Sequence, residues 1–239
     1  MNRPERLNAL SADMLVALSE TWTAFRHSTE LEVAILTGTG RGFCAGEDMK
    51  ETLTTGKPGG VRPKLADPFR DGTLEKPVIA MIRGICFGGG CSVAVMCDLR
   101  LCSDDSRFCI PAARLSVAYP VDRGVERLVH VVGAANATEI LVTARVYNAE
   151  EAYHMGLVNR VIPKAELESY TREYALKIAD NAPLSVSAHK FFVREVGKAA
   201  TLRDMEKVRE WTTRCFNSDD YKEGVAAFMG KRRPKFQGK

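Results

Sequence analysis

The sequence predicts an α/β core followed by a C-terminal helical region, and three observations support this prediction. Short apolar runs typical of buried strands alternate with helical patterns through residue 162. From residue 166 onward only helical patterns follow, which is typical of a separate helical region. The chain has 239 residues, 45% of them hydrophobic, and this is enough for one sizeable core. We assign residues 1–183 to the core and residues 184–239 to the helical region.

The predicted strands are short, and the predicted helices carry recognisable end signals. Strands are predicted at residues 33–37, 78–82, 99–102, 107–110 and 157–162. Helices are predicted at residues 8–25, 47–53, 125–132, 135–143, 149–155, 166–179, 184–196, 202–216 and 219–228. Ser11 is the expected N-cap of the first helix, and Gly133 and Gly156 separate the helices in the middle of the chain.

The charge pattern does not indicate a nucleic-acid or membrane protein. The net charge is +4, and no long basic run includes aromatic residues. The tail Lys231-Arg232-Arg233-Pro234-Lys235 is either a solvated C-terminus or a site for ligand phosphates. No apolar stretch reaches the roughly 18 residues that a membrane span needs, and no secretory signal is visible. We expect a soluble, cytoplasmic protein.

The cysteines predict neither a disulfide framework nor a metal centre. The chain has seven cysteines, an odd number, without a C-x-x-C pair or a His/Cys spacing typical of metal ligands. Five of them are clustered between residues 86 and 109. We interpret them as small buried apolar side chains of a protein in a reducing compartment.

Two glycine-rich turns, each placed between a strand and a helix, carry the clearest chemical signal. One turn, residues 40–48, follows the strand at 33–37, and the other, Phe87-Gly88-Gly89-Gly90-Cys91-Ser92, follows the strand at 78–82. A strand that turns through glycines into a helix leaves backbone N–H groups unpaired at the positive end of the helix dipole. Two such turns can each supply one N–H to an oxyanion hole, which holds an oxygen that gains negative charge.

Four segments occur in a specific order along the chain. They are Asn2-Arg3-Pro4 with Leu7-Asn8-Ala9-Leu10, Gly42-Phe43-Cys44-Ala45-Gly46-Glu47-Asp48, residues 76–98 with Gly88-Gly89-Gly90-Cys91, and residues 149–161. Their order and spacing resemble the enoyl-CoA hydratase/isomerase (crotonase) superfamily over nearly the whole chain. The resemblance implies a crotonase-like (ClpP/crotonase) core of repeated ββα units and a C-terminal helical trimerisation region. It also implies a homotrimer or a dimer of trimers.

The resemblance further implies an acyl-CoA thioester as substrate, so coenzyme A enters with the substrate and no separate cofactor or metal is expected. It also implies one or two strands ahead of Asn2-Arg3-Pro4. A missing edge strand would leave its neighbouring strand unpaired and partly exposed.

Site residues follow from the resemblance position by position. The two N–H donors that hold an enolate at the thioester oxygen fall on Glu47 and Gly89. A β-carbon on Gly89 would crowd the thioester, and the carboxylate of Glu47 is expected to point away because it would repel the enolate. Arg3 is expected near the CoA phosphates, and Phe228 and Lys231 near the CoA of a neighbouring subunit. The remaining substrate-binding positions are Ala45, Gly46, Asp48, Gly88, Ser92 and Ala112.

Two departures from the family pattern concern the acids that add water. Family hydratases carry one glutamate directly after the triple-glycine turn and another in a Pro-Glu motif, where this chain has Ser92 and Ala112. Hydration needs one group that activates water and one that delivers a proton, and neither residue does this unaided. We therefore predict isomerase-type proton shuttling rather than hydration.

Asp122 is the candidate acid for that proton transfer. It lies in the segment 119–124, where some family isomerases carry an aspartate or glutamate. An apolar acyl pocket would raise its pKa toward neutrality. Alternatively, Asp122 is the N-cap of the next helix. Glu126, one helical turn later, is expected on an exposed face.

The sequence leaves other functions open. One is a CoA-thioester-binding protein that has lost its acids, and another is a thioester hydrolase with Ser92 as nucleophile and His130 as base. A dinucleotide fingerprint is not present after the strand at 33–37, because Phe43 occupies the position of its third glycine.

Overall fold

The computed structural model describes residues 1–55, 67–119 and 121–239, and of Thr55, Asp122 and Arg123 only the backbone. Its α-helices are α1 (Ala12–His27), α2 (Met49–Thr55), α3 (Gly89–Met96), α4 (Glu126–Thr143), α5 (Ala149–His154), α6 (Leu167–Ala179), α7 (Pro183–Val196), α8 (Met205–Phe216) and α9 (Asp219–Met229). Short 3-10 turns cover Pro4–Arg6, Pro111–Leu115 and Ala200–Leu202. A π-helical turn, Val121–Val125, leads directly into α4.

The strands form two sheets. They are β1 (Ala34–Thr37), β2 (Val78–Ile82), β3 (Ile85–Phe87), β4 (Leu99–Ser103), β5 (Arg107–Cys109), β6 (Tyr147–Asn148) and β7 (Arg160–Ile162). The larger sheet has the order β1-β2-β4-β7 with every pair parallel. The smaller has the order β3-β5-β6, with β3 parallel and β6 antiparallel to β5. β1 lies at an edge of the larger sheet, and of its residues only Leu36 is fully buried.

The core is built on both faces of β2, which is buried along its whole length. Val78, Ala80 and Ile82 face the main hydrophobic cluster, to which α1, α3 and α4 contribute. The alternate residues Ile79 and Met81 pack beneath α6. A parallel sheet covered on both faces requires such an uninterrupted apolar strand, which explains the run seen in the sequence.

Local signals in the sequence explain most of the element boundaries. The Ser11 hydroxyl accepts a hydrogen bond from the Met14 amide at 3.3 Å and caps α1, as predicted. The two helices predicted around Gly133 are confirmed, because φ of 76° and ψ of 163° at Gly133 are not helical; α4 consists of two helical segments that meet at this kink. The helix predicted from residue 47 begins at Met49 instead, because Glu47 forms a parallel bridge with Leu10.

Three strands differ from the prediction. β3 and β6 were not predicted, and the strand predicted at 157–162 covers only Arg160–Ile162. Gly156, with φ of 77°, ends α5, and the amides of Leu157 and Val158 then turn back to the Ala152 carbonyl. These two residues therefore close a helix end rather than extend a strand.

The C-terminal helices have a small hydrophobic cluster of their own. Leu184, Ala188 and Trp211 are buried there between α7 and α8. Lys190 on α7 connects this region to the core, since its ammonium pairs with Asp98 at 2.8 Å. The boundary between residues 183 and 184 stays a prediction. In the described part of the chain, no helix is both long and apolar enough to cross a membrane.

Candidate functional site

Asn8 holds the first glycine turn in place. Its side chain is fully buried and donates to the carbonyl oxygens of Thr39 at 2.9 Å and Gly42 at 2.8 Å, while its oxygen accepts from the Arg3 amide at 2.9 Å. A β-carbon on Gly38 would lie 2.5 Å from the Asn8 amide nitrogen. These hydrogen bonds connect the N-terminal motif to residues 38–46 and stabilise the first turn.

The two glycine turns meet, and the contact depends on missing β-carbons. Gly46 has φ of 97°, which disfavours any other residue, and a β-carbon there would lie 3.1 Å from the Gly89 amide nitrogen. A β-carbon on Gly90 would lie 2.6 Å from the Cys44 carbonyl oxygen. The start of α3 is thereby packed directly against residues 44–46.

Glu47 and Gly89 lie side by side at this contact. A β-carbon on Gly89 would be 3.5 Å from the Glu47 amide nitrogen. Both residues are half-buried, so a ligand can reach them. Gly89 begins α3, where backbone N–H groups have no partner within the helix. This is an arrangement that can place two amide donors on one oxygen.

The carboxylate of Glu47 does not point away from this contact, contrary to the expectation. Its Oε1 would lie 3.2 Å from a β-carbon on Gly89, the same point that its backbone nitrogen approaches. Its charge also contributes to raising the pKa of Tyr119 and the pKa of Cys44, although burial is the main cause of both shifts. The site therefore contains an acidic side chain that the sequence did not place there.

Ser92 is paired with Tyr119, a residue that sequence reasoning missed. The Ser92 hydroxyl makes a short hydrogen bond with the Tyr119 hydroxyl, which also donates to the Gly88 carbonyl oxygen at 2.9 Å. Burial is the main reason that the pKa of Tyr119 lies well above its ordinary value, so the phenol stays protonated. A β-carbon on Gly124 would lie 2.3 Å from the Tyr119 ring, so this glycine makes room for it.

The remaining acid-site candidates are placed as follows. Ala112 is buried beside the second turn, where the preceding Pro111 would be 3.8 Å from a β-carbon on Gly88. The side chain of Asp122 lies outside the described part of the structure, and its backbone belongs to the turn Val121–Val125. The N-cap of α4 is Val125, so the interpretation of Asp122 as that N-cap is wrong. Glu126 is exposed, as expected.

The hydrolase interpretation finds no support at Ser92. Its hydroxyl is bonded to a neutral phenol, and a phenol with a raised pKa does not activate a serine as nucleophile. His130 lies exposed on α4.

Arg3 and Asp48 form an ion pair at the edge of the site. Their side chains approach to 3.0 Å, and Arg3 also donates to the Ala9 carbonyl oxygen at 2.8 Å. Burial alone would raise the pKa of Asp48, but the hydrogen bond from Arg3 and those from the Glu51 and Lys50 amides hold it below its ordinary value. In this structure the guanidinium of Arg3 is therefore paired with the carboxylate of Asp48.

The two C-terminal candidates, Phe228 and Lys231, are far from the two glycine turns in the sequence, and both lie on the protein surface. Phe228 on α9 is 84% exposed, and Lys231 follows the end of that helix and is also exposed. The basic tail folds back on α9, where Arg232 makes a two-pronged ion pair with Glu223 at 2.6 and 2.7 Å. The predicted roles of Phe228 and Lys231 at a neighbouring subunit stay predictions.

The cysteines are free thiols, and six of them are buried, as the sequence suggested. Burial raises the pKa of Cys44 to about 12, which rules it out as a thiolate nucleophile near neutral pH. Among residues 1–55, 67–119 and 121–239, no group of three His, Cys, Asp or Glu side chains could hold a metal ion.

The α/β core thus brings two glycine turns together at the start of a helix. The whole chain, residues 1–239, matches the family model for enoyl-CoA hydratase/isomerase. The chain belongs to this family and has its crotonase fold.

Known proteins support the same assignment. Carnitinyl-CoA dehydratase of Proteus mirabilis (strain HI4320) is 36% identical over 100% of this chain and 94% of the relative. The peroxisomal Delta(3,5)-Delta(2,4)-dienoyl-CoA isomerase of Arabidopsis thaliana is 33% identical over 99% of this chain and 90% of the relative. The crystal structure of an enoyl-CoA hydratase/carnithine racemase from Magnetospirillum magneticum has a TM-score of 0.90 at 32% identity, covering 100% of this chain and 90% of that chain. The similarity defines the family but not the reaction, since the relatives include a dehydratase and an isomerase.

Proposed function

We propose that this protein is an enzyme that binds an acyl-CoA thioester, stabilises its enolate through the amides of Glu47 and Gly89, and moves a proton between carbons of the acyl chain. The contact between the two glycine turns carries the proposal, since a β-carbon on Gly46 would lie 3.1 Å from the Gly89 nitrogen. A backbone donor aimed at a developing oxyanion contributes about 3 kcal/mol to transition-state stabilisation. Two donors at one point therefore suit enolate chemistry.

Proton transfer within the substrate is favoured over water addition by the neutral groups at the hydratase positions. Ser92 is bonded to a protonated phenol, and Ala112 has no ionisable group. Asp122 is the proposed proton carrier in this reaction. An Asp122→Asn variant should keep its affinity for acyl-CoA and lose deuterium exchange at the γ-carbon of the substrate.

A second candidate is a protein that binds acyl-CoA without converting it. The pairing of Ser92 with Tyr119 favours it, because two hydroxyl groups locked to each other are poor proton carriers at neutral pH. Under this alternative the wild-type chain binds acyl-CoA and shows no exchange at either carbon.

The amide pair is tested by a side chain at Gly89. Gly89→Val should abolish butyryl-CoA binding in calorimetry, because the added methyl groups fill the place between the two amides. Gly197→Val is the matched control, since Gly197 ends α7 on the surface with φ of −67° and tolerates a side chain. Unchanged affinity in Gly89→Val would refute this placement of the thioester.

A further inference from the structure

We propose that the carboxylate of Glu47 is the base that removes and returns the α-proton of the acyl chain, in addition to the role of its backbone amide. The inference rests on the proposed function, because it needs the thioester oxygen at the amides of Glu47 and Gly89. It assigns the side chain of a residue whose position in the sequence predicts only a backbone role.

The geometry brings both parts of Glu47 to one place. Its Oε1 would be 3.2 Å, and its backbone nitrogen 3.5 Å, from a β-carbon on Gly89. The α-carbon of a thioester is bonded directly to the carbonyl carbon. A carbonyl oxygen held by these amides therefore brings the α-hydrogens within reach of the same residue's carboxylate.

Charge conservation explains why a carboxylate is tolerated beside an enolate. A carboxylate that keeps its charge would repel the enolate oxygen at short range and oppose its formation. A carboxylate that accepts the α-proton becomes neutral in the same step that makes the oxygen negative. One negative charge is then present before and after the transfer, so the repulsion does not arise.

The other groups at the second turn do not serve as this base. Tyr119 stays protonated because burial, together with nearby charges that include Glu47, raises its pKa. Ser92 is hydrogen-bonded to Tyr119, and Ala112 is buried and apolar. Glu47 is the acid that the structure places against Gly89.

The proposed step balances as follows. The α-C–H bond breaks, its electron pair forms the carbon–carbon double bond of the enolate, and the carbonyl π pair moves to the oxygen. The proton forms an O–H bond on Glu47. Return of the proton restores the thioester, whereas protonation at the γ-carbon by the acid form of Asp122 converts a 3-enoyl into a 2-enoyl thioester. Exchange with solvent then resets both carboxyl groups.

The test is deuterium incorporation from D₂O into the α-position of 3-butenoyl-CoA, followed by mass spectrometry. Glu47→Gln and Glu47→Ala both keep the backbone amide and should slow α-exchange by about 10²–10⁴-fold, the usual contribution of a positioned base. Both should still bind butyryl-CoA in calorimetry, which also shows that they fold. Glu20→Gln on the exposed surface of α1 is the matched control and should exchange at the wild-type rate.

The outcomes separate this inference from the proposed function. If the wild-type chain neither binds acyl-CoA nor exchanges the α-proton, the proposed function itself is wrong. If the wild type exchanges and both Glu47 variants exchange within about threefold of it, the carboxylate is not the base. Tighter binding by Glu47→Ala with unchanged exchange would also overturn the inference, since the carboxylate would then only occupy the empty site.

Discussion

At the scale of single residues, the chemistry of the site depends on which hydroxyl and carboxyl groups surround the start of α3. The hydroxyl groups of Ser92 and Tyr119 are hydrogen-bonded to each other, and the Tyr119 hydroxyl also donates to the Gly88 carbonyl oxygen at 2.9 Å. The carboxylate of Glu47 lies close to Gly89, since its Oε1 would be 3.2 Å from a β-carbon there. The site thus has a hydroxyl group, at Ser92, and an apolar residue, Ala112, at the two positions where the resemblance implies acids, and it has a carboxylate where the sequence indicated only an amide.

Hydration of crotonyl-CoA should accordingly be very slow. Each missing acid or base typically lowers the rate by about 10²–10⁴-fold, although paired losses need not multiply. The decrease in absorbance of the conjugated thioester measures the reaction. Turnover at an ordinary enzymatic rate would contradict the account of Ser92 and Ala112.

Sequence reasoning reached some of these residues and not others, for physical reasons. Glycine turns after strands leave a clear pattern, whereas the assignment of Glu47 and Gly89 as backbone donors came from the family resemblance and stays a prediction. The pairing of Tyr119 with Ser92 depends on tertiary contacts, and only the nearby Gly124, which leaves space for the ring, gives a local hint. The direction of the Glu47 side chain could not be predicted, since its bridge to Leu10 joins segments 37 residues apart.

At the scale of elements, glycines fix the bends that bring the site together. β2, α1 and the C-terminal helices were predictable because long runs carry a clear periodicity. β3 and β6 were not, because strands of three and two residues are too short for one. The break at Gly133 was predicted correctly, since its non-helical φ of 76° and ψ of 163° separate the two segments of α4.

Two glycines allow a matched test of backbone conformation. Gly133 has φ of 76° and ψ of 163°, a region open almost only to glycine, and a β-carbon there meets no described atom within 4 Å. Gly133→Ala should therefore lower the free energy of unfolding by about 2 kcal/mol through backbone strain alone.

Gly224 supplies the comparison. It lies inside α9, where a β-carbon would make ordinary contact with Phe236 at 3.5 Å. Gly224→Ala should raise the free energy of unfolding by about 0.5 kcal/mol. Urea denaturation at one fixed protein concentration measures both variants, and equal effects would show that the conformation of Gly133 is not the cause.

At the scale of the whole molecule, the C-terminal helices expose several large apolar side chains. Trp211 is buried within the chain, and Phe191 and Phe192 are half-buried. The exposed apolar side chains of this region include Val193, Val196, Leu202, Phe216, Phe228 and Met229. Which apolar residues stay exposed could not be predicted, because it depends on how α7 packs on α8.

We expect this surface to be covered by further copies of the chain, since apolar patches of this kind favour association. Multi-angle light scattering at micromolar concentration should report a mass that corresponds to a trimer or a dimer of trimers. Phe228→Asp should shift the distribution toward smaller species. A wild-type monomer at this concentration would show that the exposed surface does not drive assembly.

The central claim is that the amides of Glu47 and Gly89 together hold a thioester oxygen. A crystal structure of the protein with a bound acyl-CoA tests it most directly. The account predicts that the thioester oxygen lies about 2.7–3.1 Å from both amide nitrogens, with the α-carbon facing the Glu47 carboxylate. An acyl-CoA whose thioester oxygen lies away from these two nitrogens would contradict the claim.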